Sequence, residues 1–108
     1  MNPILHGMPA SAGIAEGTVR IQLPGIDASQ FQPGEILVTT ITDPTMIQVM
    51  LKAAAIVTDM GGITSHPAIL SREMGIPCVV NTKEATTRLK DGIRVRVDGE
   101  KGTIYALD

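Results

Sequence analysis

Hydrophobic positions change their spacing several times along this chain, and each change marks an element. Gly17-Thr18-Val19-Arg20-Ile21-Gln22-Leu23 alternates and is rich in β-branched residues, which predicts a strand. A turn-rich stretch from Pro24 to Gly34 follows, and Glu35-Ile36-Leu37-Val38-Thr39 then reads as a buried strand. Asp43-Pro44 is a helix-start signal, because Asp caps and Pro is tolerated at the first helical position. Met46, Ile47, Met50 and Leu51 follow at one-face helical spacing. The short apolar run Ala54-Ala55-Ile56-Val57-Thr58-Asp59 predicts another buried strand, broken by Gly61-Gly62.

A second helix is expected from about Ser65 to Met74. Gly75 supplies its C-terminal cap and Pro77 prevents its continuation. Cys78-Val79-Val80 reads as a buried strand, and Glu84 to Lys90 as a short helix. Ile93-Arg94-Val95-Arg96-Val97 alternates strictly, so one face is buried and the other wet. Asp98-Gly99-Glu100-Lys101-Gly102 turns it back into Thr103-Ile104-Tyr105-Ala106-Leu107 as a hairpin. The order strand, helix, strand, helix, strand predicts a right-handed α/β core with parallel pairing. Antiparallel strands near both chain ends are expected to add a second β layer. No Pro/Ser linker interrupts the chain, so residues 1–108 are expected to form a single domain.

Composition narrows the function classes. With 44% apolar and 19% charged residues a packed core is expected and disorder is not. Phe31 and Tyr105 are the only aromatic residues, so Ile, Val, Leu, Met and Ala must build that core. A net charge of −2 without a Lys/Arg cluster, and without aromatic stacking platforms, argues against a nucleic-acid partner. No apolar segment is long enough to span a membrane, and the N-terminus lacks the pattern of a signal peptide, so a cytoplasmic location with no membrane partner is expected. The single cysteine, Cys78, lies in an apolar run and reads as a buried small hydrophobe. The Met residues, Met46 and Met50 among them, read as core filler; Met60 lies beside the glycine pair and receives no role.

The candidate chemistry lies at Gly61-Gly62-Ile63-Thr64-Ser65-His66-Pro67. The glycine pair follows a strand's carboxyl end, where open α/β sheets bind ligands. Glycines let the backbone approach a ligand closely. Thr64 or Ser65 is placed to cap the helix, and both hydroxyls can bind phosphate oxygens. Pro67 pre-sets the first turn, and His66 projects at the helix mouth, where unpaired N–H groups and a partial positive charge suit phosphate. The ring of a free histidine, with a pKa of ~6.5, is mostly neutral and nucleophilic at pH 7, and its phosphoramidate is reactive enough to pass a phosphoryl group on. Arg72, six residues beyond His66, is placed to reach back as a phosphate clamp. Local physics leaves other readings open: His66 as a surface or capping residue, or a metal site with Asp59 as its one obvious co-ligand.

At these residues the sequence resembles the phosphohistidine swivelling domain of the phosphoenolpyruvate-utilising enzymes. That family includes phosphoenolpyruvate synthase, pyruvate phosphate dikinase, enzyme I of the sugar phosphotransferase system and rifampicin phosphotransferase. The resemblance is carried by Gly61-Gly62-Ile63-Thr64-Ser65-His66, Ser71-Arg72-Glu73 and Gly75-Ile76-Pro77. It extends to Pro33-Gly34-Glu35-Ile36-Leu37-Val38, Thr42-Asp43-Pro44, Ile56-Val57-Thr58-Asp59, Glu84-Ala85-Thr86, Asp91-Gly92 and Val97-Asp98-Gly99. Pro9 to Gly17 resembles the opening segment of the domain, so nearly the whole chain is covered in order. Pro67 departs from the usual alanine or glycine after the histidine, and Asn81 stands where glycine usually follows the Val-Val pair.

The resemblance implies a three-layer β/β/α swivelling fold. It implies that His66 is transiently phosphorylated on Nε2 and carries the phosphoryl group between two distant sites, with Gly61, Gly62, Thr64, Ser65 and Arg72 in support. It implies a transferase domain that needs partners for turnover: a nucleotide-binding domain and a phosphoenolpyruvate/pyruvate barrel, in the same chain or separate subunits. No cofactor or metal is expected on this domain itself; Mg and nucleotide or phosphoenolpyruvate are expected on those partners. The chain has no phosphate-cradling loop of the Walker type. A non-catalytic binding or regulatory module of the same fold is the alternative.

Overall fold

A computed structural model describes residues 2–107. Its elements run β1 (Leu5–His6), β2 (Met8–Ser11), β3 (Ile14–Ile21), β4 (Ile36–Thr39), a 3₁₀ turn (Pro44–Met46), α1 (Ile47–Lys52), β5 (Ala55–Thr58), α2 (His66–Met74), β6 (Cys78–Val80), α3 (Ala85–Arg88), β7 (Arg94–Asp98) and β8 (Thr103–Ala106). Strands β3, β4, β5 and β6 pair in parallel, as the alternation of elements predicts. β7 and β8 form the expected antiparallel hairpin, flanked by β3 on one side and β1 on the other. β3 belongs to both arrays: residues Ile14 to Thr18 pair with β7, and Val19 to Ile21 pair with β4.

The pleat then generates the layers. On β4, β5 and β6 successive side chains point to opposite faces. Ile36, Val38, Ala55, Val57 and Val79 pack against Val95, Val97, Ile104 and Leu5 in a core between the two strand arrays. Leu37, Ile56, Cys78 and Val80 pack the other way, against Met46, Val49 and Met50 and against Ala68 of α2. Both faces are covered, which is why these strands read as unbroken apolar runs rather than alternating ones. The result is a β/β/α three-layer arrangement. Phe31 anchors the long 22–34 connection into the helix-side core.

Two local expectations are corrected, and one strand is added. On α1 the buried residues are Val49 and Met50, with Met46 before them and Ala53 after, while Leu51 is 58% exposed. The preceding 3₁₀ turn advances three residues per turn instead of 3.6, which shifts the phase of the apolar stripe. The first long strand begins at Ile14 rather than Gly17, because its N-terminal half pairs with β7. β2 was not legible as a strand; it joins the parallel array by pairing antiparallel with β6, and Pro9 is tolerated because β2 lies at the edge.

Gly99, in the β7–β8 turn, closes the two arrays onto one another. Its N–H donates to the Gly13 carbonyl at 2.8 Å, and its Cα packs against the β2 and β6 backbones. Nearby, Cys78 is fully buried, and that burial pushes its thiol up to about 11.

Asn81 follows β6 with φ +57, the left-handed region in which Asn is the best-tolerated residue after Gly. This conformation suits asparagine here, as it would the glycine that the family resemblance leads one to expect. Asn81→Ala is expected to lower unfolding free energy by about 1 kcal/mol, and Asn81→Gly to leave it within about 0.5 kcal/mol, in urea titrations. Equal stability of the two variants would remove φ as the constraint.

Candidate functional site

β5 delivers the chain to Asp59, and the sharp turn that follows is built around Gly61. Its φ of +115 excludes other residues, and a methyl group there would lie 2.9 Å from Ser65 Oγ. Gly62 has open space around it, so the fold does not require glycine at that position. Ser65 closes the turn: its N–H and its Oγ both donate to the Gly62 carbonyl, at 3.0 and 2.6 Å.

Ser65 holds the N-cap position of α2 in extended geometry, yet its side chain makes no capping bond. The cap expected of Thr64 or Ser65 is therefore absent from the hydroxyls. Pro67 lacks an N–H, and helix geometry leaves those of His66 and Ala68 without an intrahelical acceptor. The mouth of α2 keeps its positive end open. At the other end, the N–H of Gly75, left-handed at φ 74, bonds Ser71 O, as its place before Pro77 predicts.

His66 occupies the first position of α2 and is exposed. Its Nδ1 lies 2.8 Å from Thr42 Oγ1, and Thr42 is only 5% exposed in the connection after β4. This contact spans 24 residues and fixes the ring by one nitrogen. With the proton on Nδ1, Thr42 accepts it and the lone pair of Nε2 points away from the anchor. Thr42 is the site residue that local spacing missed; its position in the Thr42-Asp43-Pro44 helix start was legible, its partner was not.

Arg72 takes a different position from the one expected of a phosphate clamp. Its Nη1 donates to the Ala10 carbonyl at 3.0 Å and its Nη2 to the Ile63 carbonyl at 2.5 Å. It ties the Gly61–Ser65 loop to β2. Thr64 is exposed on that loop. Asp59 accepts from Thr86 N at 2.9 Å and Thr86 Oγ1 at 2.5 Å, so both carboxylate oxygens hold the start of α3 rather than face His66. Met60, Ile63 and Ile69 are 59%, 51% and 45% exposed and flank His66 along the chain, on the loop and the first turn of α2. A cavity of about 300 Å³ lies elsewhere, under Leu23, Ile26 and Val49, and does not include His66.

No helix among the described residues is long and apolar enough to cross a membrane.

Comparison with known proteins gives this geometry its relatives. The family model described as PEP-utilising enzyme, mobile domain, matches residues 31–102. The probable phosphoenolpyruvate synthase of Archaeoglobus fulgidus is 55% identical over 102 residues, which are 94% of this chain and 14% of that protein. The chain thus spans about a seventh of the length of that relative. A solution structure of an Enzyme I protein superposes with a TM-score of 0.64 and 29% identity, over 75% of this chain and 34% of that one. The crystal structure of aconitase X from Thermococcus kodakaraensis superposes with a TM-score of 0.73 over 99% of this chain and 100% of that one; at 24% identity it shares the fold.

Proposed function

The chain belongs to the mobile-domain family of the phosphoenolpyruvate-utilising enzymes, and from that premise we propose that His66 is its phosphoryl carrier. The observation that carries the proposal is the Thr42 Oγ1···His66 Nδ1 contact of 2.8 Å at an exposed helix mouth. A ring anchored through Nδ1 presents Nε2 outward, which is the arrangement a nucleophile delivered into another site needs. Nε2 attacks phosphorus, the donor's P–O bond breaks, and the ring retains its Nδ1 proton against Thr42. The reverse step delivers the group to an acceptor.

The surrounding residues divide the remaining work. The open N-terminus of α2 stabilises the phosphate charge by roughly 0.3–2 kcal/mol. Gly61 makes the turn that brings the loop to the helix start, Gly62 leaves room for the phosphate, and Thr64 supplies a hydroxyl to it. Ser65 and Arg72 hold the loop that carries them, so Arg72 acts as a positioning residue, with N–H groups to spare for the phosphate. The exposed Met60, Ile63 and Ile69 give a partner surface an apolar rim to cover, and covering it excludes water from the transfer.

Donor and acceptor sites lie on partners. A nucleotide-binding domain and a phosphoenolpyruvate/pyruvate barrel, in the same polypeptide or in separate subunits, would hold Mg and nucleotide or phosphoenolpyruvate. The exposure of His66 supports delivery of this kind. The test is to mix the chain with phosphoenolpyruvate, or with ATP, and the catalytic domains of a phosphoenolpyruvate synthase. Acid-labile, base-stable phosphate on Nε2 of His66 is the expected product. A chain that every such system leaves unlabelled would be a binding or regulatory module of this fold instead.

Thr42→Val keeps the shape and removes the hydrogen bond. A lost bond of about 1 kcal/mol predicts a loading rate about 5-fold lower, read as label against time. An unchanged rate would remove Thr42 from the mechanism.

A further inference from the structure

Gln22 is a polar side chain in an apolar place. It follows β3, is 5% exposed, and lines the cavity of about 300 Å³ beneath the 22–28 connection. Its Nε2 donates to the Ile26 carbonyl at 2.7 Å and to the Asp27 carbonyl at 3.3 Å, so the connection curls over the amide. Carbonyls only accept, which turns the amide nitrogen toward the connection and leaves the oxygen over. No donor among the described residues bonds Gln22 Oε1. Nor is that oxygen sealed in the core, where Ser71 Oγ is the one side-chain atom of the described residues left without a partner. Buried amides normally use both ends. Here the acceptor is left to the cavity.

The rest of the lining is mostly apolar. Buried Met46 and Val49 belong to the 3₁₀ turn and α1, and exposed Leu23 and Ile26 to the connection. Thr45 also lines the cavity, but its hydroxyl proton is given to Asp43, so it too offers only lone pairs. No charged residue lines the space, so nothing there would offset the desolvation of a phosphate or carboxylate. β3 and β4 run parallel, so the walls after β3 and after β4 rise from the sheet's carboxyl edge, where α/β sheets bind ligands. The volume is at the lower end of the range for small-molecule sites.

We propose that this cavity is a second binding site, for a small neutral molecule that is mainly apolar and carries one N–H or O–H donor. The donor meets Gln22 Oε1, and the apolar body packs on Met46 and Val49 under Leu23 and Ile26. The site goes beyond phosphoryl transfer and stands whether or not His66 is the carrier.

Indole is the probe, being neutral, apolar and equipped with a single N–H. The chain has no tryptophan, so indole fluorescence is read without a protein background. Saturable binding with a Kd of about 0.1–1 mM is expected. In ¹⁵N NMR spectra the shifts should centre on Gly25, Ile26, Val49 and the Gln22 side-chain amide. N-methylindole, which lacks the donor, should bind about 5- to 10-fold more weakly, and indole-3-acetate about 10-fold more weakly. Val49→Phe, which fills the cavity, should weaken indole binding at least about 10-fold. Absent saturation, or shifts centred on Met60 and Ile63 instead, overturns the site. Equal affinity for N-methylindole overturns the role of Gln22, and equal affinity for indole-3-acetate overturns the selection for neutral molecules. Undiminished binding to folded Val49→Phe overturns the location. Should that variant fail to fold, the shift map and the N-methylindole comparison on the parent chain decide the matter.

Discussion

The His66→Ala chain is expected to take up no acid-labile phosphate under conditions that label the parent fully. Loading needs a nitrogen lone pair at the mouth of α2, and the neighbouring Thr64 and Ser65 offer only hydroxyls, whose phosphate esters survive acid. The change should barely touch the fold. His66 is exposed, begins its helix and contributes to neither core. Its one side-chain hydrogen bond, to Thr42, is replaced by water at a cost of about 0.5–1 kcal/mol. The measurement pairs the label with circular dichroism and a urea midpoint. Acid-labile label persisting on a folded His66→Ala chain would sink the assignment of His66.

Gly99→Ala carries the largest expected loss of stability. A methyl group at that position would collide with the Ser11 carbonyl oxygen and come within 3.1 Å of Cys78 N and Pro77 Cα. All three obstacles are backbone, so no side chain can rotate away. Relief requires prising the β7–β8 turn off β2 and β6, where the two strand arrays meet. Overpacking of this kind costs about 3 kcal/mol or more. For a domain of this size that lowers the thermal midpoint by about 12–24 °C. Gly62→Ala is the matched control, since nothing lies within 4 Å of its new methyl group. It should melt within a few degrees of the parent. A Gly99→Ala midpoint equal to the control would show that the contact yields cheaply.

Much of this architecture is legible in the chain, for identifiable reasons. Ile36-Leu37-Val38, Ala55-Ile56-Val57 and Cys78-Val79-Val80 announce themselves because strands covered on both faces need apolar side chains at every position. The ends of α2 are equally plain, since Gly75 and Pro77 each act through their own backbone. β1 and β2 were hidden because two- and four-residue edge strands carry no periodicity, and only their partners β8 and β6 make them strands. The phase of α1 was hidden by the 3₁₀ turn, which no hydrophobic count reveals. At the site, His66 and the glycine pair stood out locally, and the family resemblance supplied the chemistry. The partners of His66 and Arg72 did not stand out, because Thr42 and Ala10 reach them across 24 and 62 residues. Local spacing is blind to contacts of that length.

Cys78 turns the molecule into its own stopwatch. The sole thiol is sealed between α2 and the strands, and its burial keeps it protonated through neutral pH. An alkylating reagent can therefore reach it only when the helix layer lifts from the sheet, and the rate of modification counts those openings. With no competing cysteine the count needs no mutation to interpret. It also leaves the surface free for a dye attached through a newly introduced cysteine, so that motion of the whole domain and opening of its interior could be timed in one sample.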